Sequence, residues 1–203
     1  MEDKMAVITL SRQKGSNGYY IAVKVAELLR YRSVGKDELL ELAKEYGILP
    51  RRFEMLDEKN PGFIVASYKS EYIGAMNKII RQIAQEDNVV IRGRGSEAIT
   101  QDFKNALHIR VVAPIELRIE RIRNTYKTPY NEAANMVKTS DENRSQYINV
   151  FYSVNRRRPF PYDLVINTKY IDVDSAAEYI VMIAKSLPER QEKYAKEMFS
   201  FAL

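Results

Sequence analysis

The stretch Met5-Ala-Val-Ile-Thr-Leu-Ser-Arg-Gln-Lys-Gly-Ser-Asn-Gly-Tyr-Tyr-Ile21 decides how this chain is read. Its first part, Met5–Leu10, is a short apolar run of strand type. From Tyr19 onward Ile21, Ala22, Val25, Ala26 and Leu29 recur at helical spacing, the stripe of a helix that packs on a sheet. Between the two lies Ser11-Arg12-Gln13-Lys14-Gly15-Ser16-Asn17-Gly18, longer than the ~2–6 residues of an ordinary strand-to-helix loop. Strand, glycine-bearing turn and helix together make an anion cradle. The N–H groups of the turn converge, and the helix N-terminus adds partial positive charge. Gly15 and Gly18 are read as the residues that take the positive φ angles of such a turn. Closing a plain βα turn is the alternative use for these glycines, and the extra length favours a ligand. The standard phosphate loop, GxxxxGK(S/T), ends in a lysine and a hydroxyl. Counted from the helix start, Gly18 stands at the lysine's position and Tyr19 at the hydroxyl's.

The rest of the composition narrows the class. A chain of 203 residues suits one domain with a small insertion. Hydrophobic residues make up 45% and charged residues 29%, ordinary values for a soluble globular chain. No apolar run approaches the ~20 residues of a membrane span, and Met-Glu-Asp-Lys-Met at the start does not read as a signal peptide. There are 0 cysteines, which excludes disulfides, thiol metal sites and thiol catalysis and agrees with a cytoplasmic location. The net charge of +5, from 32 basic and 27 acidic residues, suits an anionic ligand such as a nucleotide. No basic block interleaves with aromatics, so nucleic acid is not an expected partner; Arg156-Arg157-Arg158 is the nearest candidate. His108, the single histidine, opens an apolar strand and reads as structural.

Further along, strands and helices alternate. Expected strands are Ser33-Val34, Asn88–Gly93, Ala106–Val112 and Tyr162–Asn167. Expected helices are Asp37–Tyr46, a turn from Pro50 toward Asp57, Glu71–Asp87, one after Ala113-Pro114, one or two from Asn131 to Val154, and Asp174–Ser186. Asn60-Pro61-Gly62 breaks the chain. This alternation predicts a three-layer α/β fold with a largely parallel sheet and flanking helices. The expected domain spans residues 1–187, with a helical lid at about 123–160 and a C-terminal helical extension at 188–203. That extension carries Tyr194, Met198 and Ala202 on one face, which is expected to dock on its own domain or to form a homodimer contact.

Three further groups of residues carry chemistry. Arg94, flanked by Gly93 and Gly95, follows the strand Val89–Ile91. It is expected at a carboxyl end, where open α/β sheets bind ligands, and its planar fork suits a phosphate. Arg118 and Arg121 lie one helical turn apart, on the face opposite Ile115, Ile119 and Ile122. Asp141 and Arg144 share a face with Tyr147 and Phe151. Arginines gathered near one hinge suit a lid over a triphosphate. Asn167 and Thr168, at the end of the last strand, are candidates to meet a base edge, while Asp172, Asp174 and Ser175 read as caps of the following helix.

In this order, Ile8–Gly18, Val-Ile-Arg-Gly-Arg-Gly at 90–95, Ala-Pro-Ile-Glu-Leu-Arg-Ile-Glu-Arg-Ile at 113–122, Asp-Glu-Asn-Arg at 141–144 and Tyr-Asp-Leu-Val-Ile-Asn-Thr at 162–168 resemble the cytidylate kinase-like family, relatives of the nucleoside monophosphate kinases. The resemblance implies a phosphate-loop kinase fold, ATP and Mg2+, and a nucleoside monophosphate acceptor, cytidylate by analogy. It implies that residues 11–19 hold the donor phosphates. It also implies that Arg94 grips the acceptor phosphate, and that Arg118, Arg121 and Arg144 belong to the lid and its flanking helix. The family's loop looks like SRxxGSGG, and here Asn17 replaces one glycine; asparagine tolerates left-handed geometry best among residues with a side chain. The aspartate-tyrosine signature of acceptor recognition is not found at Ser33–Glu38. The expected function is phosphoryl transfer to a nucleotide or related small molecule. The alternatives are a phospho-ligand-binding protein without catalysis and a partner-binding scaffold.

Overall fold

The computed structural model describes residues 6–45, 66–86, 88–152 and 162–200, with side chains except at 66–69, 151 and 188–200. In chain order the elements are β1 (Val7–Arg12), α1 (Gly18–Leu29), β2 (Arg32–Val34), α2 (Lys36–Glu45), α3 (Ala66–Gln85), β3 (Val89–Arg92), α4 (Ser96–Ile99), β4 (Ala106–Val112), α5 (Ile115–Tyr126), α6 (Tyr130–Tyr152), β5 (Leu164–Asn167) and α7 (Val173–Ser200).

The strands form one five-stranded sheet in the order β2-β3-β1-β4-β5, and every pairing is parallel. Strand periodicity splits β1 between two cores. Val7 faces one side with Leu39, Tyr72, Met76, Ile80 and Tyr147 of α2, α3 and α6. Ile8 and Leu10 face the other with Ile21, Val25, Ala177 and Ile180 of α1 and α7. Both faces of the sheet are therefore covered, as parallel sheets require. The chain winds from β1 out to β2 and back through β3, then crosses to β4 and β5. Strand order thus reverses around β1, and ligands of open α/β sheets bind outside the carboxyl ends at such a point.

The structure corrects several expected boundaries. β1 runs two residues beyond Leu10, because Ser11 and Arg12 continue the ladder opposite Arg110 and Val111. α3 begins at Ala66 rather than Glu71. α4, four residues long, carries too little periodicity to have been read. α7 runs on through Pro188, where a break was expected; the one backbone donor that proline removes did not stop propagation of the helix. The expected helical turn from Pro50 to Asp57, the break at Asn60-Pro61-Gly62, Arg156–Arg158 and Ala202 lie outside the described residues, as do the side chains of Phe151, Tyr194 and Met198.

His108 belongs to the sheet, as its place in an apolar strand suggested. Its ring Nδ1 shares a 2.8 Å hydrogen bond with Thr9 Oγ1, and its backbone N–H donates to Asp163 Oδ2 at 2.7 Å. Burial pushes the imidazole below its ordinary pKa, against the opposing pull of Asp163. The unfolded chain then binds a proton near pH 6.5 that the folded chain refuses, so stability is lost as pH falls through that value. Melts between pH 7.5 and 5.5 should show the parent losing up to about 1.4 kcal/mol per pH unit more than His108→Gln, which cannot titrate. Parallel slopes for the two proteins would show that His108 is not held neutral.

Candidate functional site

The turn after β1 is held open by donors on its outer side. Arg144 Nη1 donates to the Arg12 carbonyl. The Gln13 carbonyl accepts from the Ser16 N–H at 3.2 Å and the Ser16 hydroxyl at 2.8 Å. Arg118 Nη1 reaches the Lys14 carbonyl at 3.4 Å, and Arg121 Nη1 reaches the Gly15 carbonyl at 3.3 Å. Thr168 Oγ1 donates to the Ser16 carbonyl at 3.0 Å, and the Ile21 N–H to the Asn17 carbonyl at 3.1 Å. Every carbonyl from Arg12 to Asn17 is thus drawn toward a donor. Gly15 and Asn17 are left-handed, at φ 79° and 63°. Alternating handedness with carbonyls turned out is the geometry of an anion-binding nest. The nest leads into α1, whose first N–H groups have no intrahelical acceptor.

Gly18 departs from its expected role. It is the first residue of α1 and is not left-handed. It is glycine for a steric reason: a Cβ there would stand 2.5 Å from Arg12 Cβ and 3.2 Å from Val111 Cβ. Tyr19 is 54% exposed, and its ring centre lies 5.0 Å from Arg92 Cζ.

Arg118 and Arg121 are not on a solvent face. Arg118 is 4% exposed and donates to the Ala113 carbonyl at 3.1 Å and to Asp141 Oδ2 at 2.9 Å. That joins α5, the turn and α6 through one guanidinium. Arg121 also donates to Thr168 Oγ1 at 2.9 Å and to the Thr168 carbonyl at 2.8 Å, and loss of solvent lowers its pKa. Thr168 is therefore buried behind the turn rather than open to a base edge. Asn167 Oδ1 accepts from the Lys169 N–H at 3.0 Å. Asp172 caps α7 by accepting from the Ser175 N–H at 2.8 Å. Gln13 Oε1 accepts from the Ala113 N–H at 3.1 Å, and the Ser11 hydroxyl lies 3.3 Å from Tyr162 Oη.

Beyond β3, Gly93, Arg94 and Gly95 are left-handed in succession, at φ 80°, 60° and 69°. The Tyr152 hydroxyl of α6 donates to the Arg94 carbonyl at 3.1 Å, and the Arg94 guanidinium lies 5.9 Å from the Tyr147 ring. Burial pushes the Tyr147 phenol well above its usual range, so it stays neutral beneath the guanidinium. Arg94 is only 5% exposed, yet it lines an open cleft of about 570 Å³.

Arg12, Lys14, Lys36, Arg92 and Arg94 line that cleft from the sheet side. Asn135, Met136, Thr139, Ser140 and Asn143 of α6 line it from above. Five cations face uncharged side chains, and no carboxylate lines the cleft among the described residues. Sequence reasoning missed Lys36, Arg92 and the α6 wall. A signal was present, since Asn135, Thr139 and Asn143 recur at i, i+4, i+8 in an otherwise charged helix. It also missed Glu97, a 5% exposed carboxylate whose Oε1 accepts from the Tyr162 hydroxyl at 3.1 Å. Burial raises the Glu97 pKa, and the nearby Tyr162, Arg110 and Arg12 oppose the shift. Among the described residues no group of three or more His, Asp or Glu is arranged to hold a metal ion.

The chain is similar to a cytidylate kinase of Pyrobaculum islandicum, 29% identical over 178 residues that cover 85% of this chain and 89% of the relative. Its fold is that of an uncharacterized protein from Eubacterium ventriosum, with a TM-score of 0.72 and 23% identity over 89% of this chain and 99% of the other. It is also that of a shikimate kinase from Bacteroides thetaiotaomicron, with a TM-score of 0.54 and 14% identity over 89% of this chain and 99% of the other. The model of the cytidylate kinase-like family matches residues 7–170. With well over half of its length under that match, this chain belongs to the cytidylate kinase-like family.

Proposed function

We propose that this protein transfers a phosphoryl group from ATP to a nucleoside monophosphate, with cytidylate the first acceptor to test. The observation that carries the reading is the cleft itself: five cations and no described carboxylate at the carboxyl ends of β1 and β3, beside the N-terminus of α1. Phosphoryl transfer needs little covalent chemistry from the protein. Positioning and charge stabilisation do nearly all of it.

In this reading the turn from Ser11 to Tyr19 receives the donor phosphates on N–H groups other than those of Gln13 and Ser16, which donate to the Val111 and Gln13 carbonyls, and Arg94 receives the acceptor phosphate. Arg118, Arg121, Asp141 and Arg144 act through the turn. They hold its carbonyls outward so that its amides stay aimed at the ligand. The wall of α6 excludes water from one side. The lining cations fit a triphosphate and a monophosphate. The lining offers no described carboxylate for magnesium, so the ion's ligands would be chiefly phosphate oxygens. When bound it neutralises charge on those oxygens. The cytidylate kinase named among the relatives supports the choice of acceptor. A cytoplasmic setting agrees with a nucleotide substrate, and no described helix is long and apolar enough to cross a membrane.

A second reading, a phospho-ligand-binding protein with impaired catalysis, is favoured by Gly18 and Tyr19 at the loop's lysine and hydroxyl positions. One experiment separates the two. Purified protein is mixed with ATP, magnesium and a panel of nucleoside monophosphates, and ADP release is followed beside thermal stabilisation. Acceptor-dependent ADP supports transfer. Stabilisation without ADP supports binding alone, and neither signal removes both readings. Arg94→Ala should raise the KM for the acceptor by about 10- to 150-fold, the loss of a charged hydrogen-bond partner. The KM for ATP should stay within about threefold. Equal losses for both ligands would show that Arg94 does not face the acceptor.

A further inference from the structure

The standard phosphate loop, GxxxxGK(S/T), has glycine at its first position and lysine six residues later. On this chain those positions are Arg12 and Gly18, so the cation and the first glycine have changed places. The structure gives a reason why such an exchange must be reciprocal. A Cβ at residue 18 would stand 2.5 Å from Arg12 Cβ and 3.2 Å from Arg12 Cγ. The two side chains leave the backbone into the same volume, and only one position can carry a long one.

The Arg12 guanidinium shows where the exchanged cation ends. A Cβ on Gly93 would lie 3.4 Å from Arg12 Cζ and closer still to Nη1. Arg12 therefore crosses from the mouth of the turn to the Gly93-Arg94-Gly95 bend, and it lines the cleft with Arg94. Its carbonyl is held by Arg144, which fixes the root of the side chain. Lys14, the other cation of the turn, lies with its Nζ 5.5 Å from the Tyr126 ring of α5. Of the two, Arg12 spans the gap between the donor nest and the acceptor arginine.

We infer that Arg12 is the cation that neutralises the terminal phosphates of the donor in place of the loop lysine, and that Gly18 is glycine so that Arg12 can do so. Its planar fork donates two parallel hydrogen bonds where an ammonium offers a point charge. Residue 18 then has no direct part in charge stabilisation. The inference rests on the proposed use of a nucleoside triphosphate.

Calorimetric titration of ATP and ADP, with melting curves as a fold control, tests it on four proteins. Arg12→Gln keeps the stem and removes the charge. It should melt near the parent and bind ATP about 10- to 150-fold more weakly, with a smaller loss for ADP. Gly18→Lys alone should lower the melting temperature or ATP affinity, because its Cβ meets Arg12. Arg12→Gly with Gly18→Lys restores the standard arrangement and should bind ATP more tightly than Arg12→Gln. An Arg12→Gln protein that binds ATP like the parent overturns the inference, as does a double variant no better than Arg12→Gln. A parent that binds no triphosphate overturns the proposed function itself and the inference with it.

Discussion

The site depends on a competition for the carbonyl oxygens of one short turn. A peptide unit that points its oxygen outward points its N–H inward, so the ligand-facing side of residues 12–17 is decided by what lies behind them. Arg118, Arg121 and Arg144 supply that backing with Thr168, each from an element folded elsewhere in the sequence. Three cations aimed at backbone oxygens are a costly way to hold a loop, since each guanidinium gives up water. The cost is offset by the hydrogen bonds to those oxygens and, for Arg118, by Asp141. Removing Asp141 would leave the buried Arg118 guanidinium without its counter-ion. The turn is thus secured by the protein's own contacts, the kind of fixed geometry that preorganised electrostatic stabilisation requires.

How much of this was legible in the sequence follows from the range of each interaction. The parallel α/β architecture could be read because it depends on local periodicity: Ile8 and Leu10 on one face of a strand, Ile21 and Val25 on a helix stripe. The nest was legible through Gly15 and Asn17, whose left-handed angles match what those residue types tolerate. Arg94 between two glycines was legible as a bend bearing a cation. The rest is set by long-range contacts that spacing does not encode. Arg118 and Arg121 look like any arginines on a charged helix until Lys14 and Gly15 are seen against them, more than a hundred residues away in sequence. Gly18 looked like a flexible turn residue because its reason, the Arg12 stem, is a packing fact.

The same long-range logic explains why Asn167 and Thr168 changed meaning. A polar pair at a strand's carboxyl end is a fair candidate to meet a ligand. Here β5 is an edge strand, separated from β1 by β4. The Thr168 hydroxyl is spent behind the turn and Asn167 closes its own bend. On the other side of β1, β3 brings Arg92 and Arg94 to the cleft.

The two tyrosines of α6 that underlie Arg94 have a thermodynamic consequence. Tyr152 grips the main chain of the bend through its hydroxyl, while Tyr147 lies under the guanidinium and is tied to Tyr72 of α3 at 3.2 Å. The helix that roofs the cavity and the bend that forms its floor are therefore one mechanical piece on that side. A tilt of α6 cannot leave the floor unchanged, and an anion that pulls on the floor must be felt along the helix. By linkage, if the position of α6 altered the affinity of the bend for an anion, a bound anion would bias the position of α6 by the same free energy.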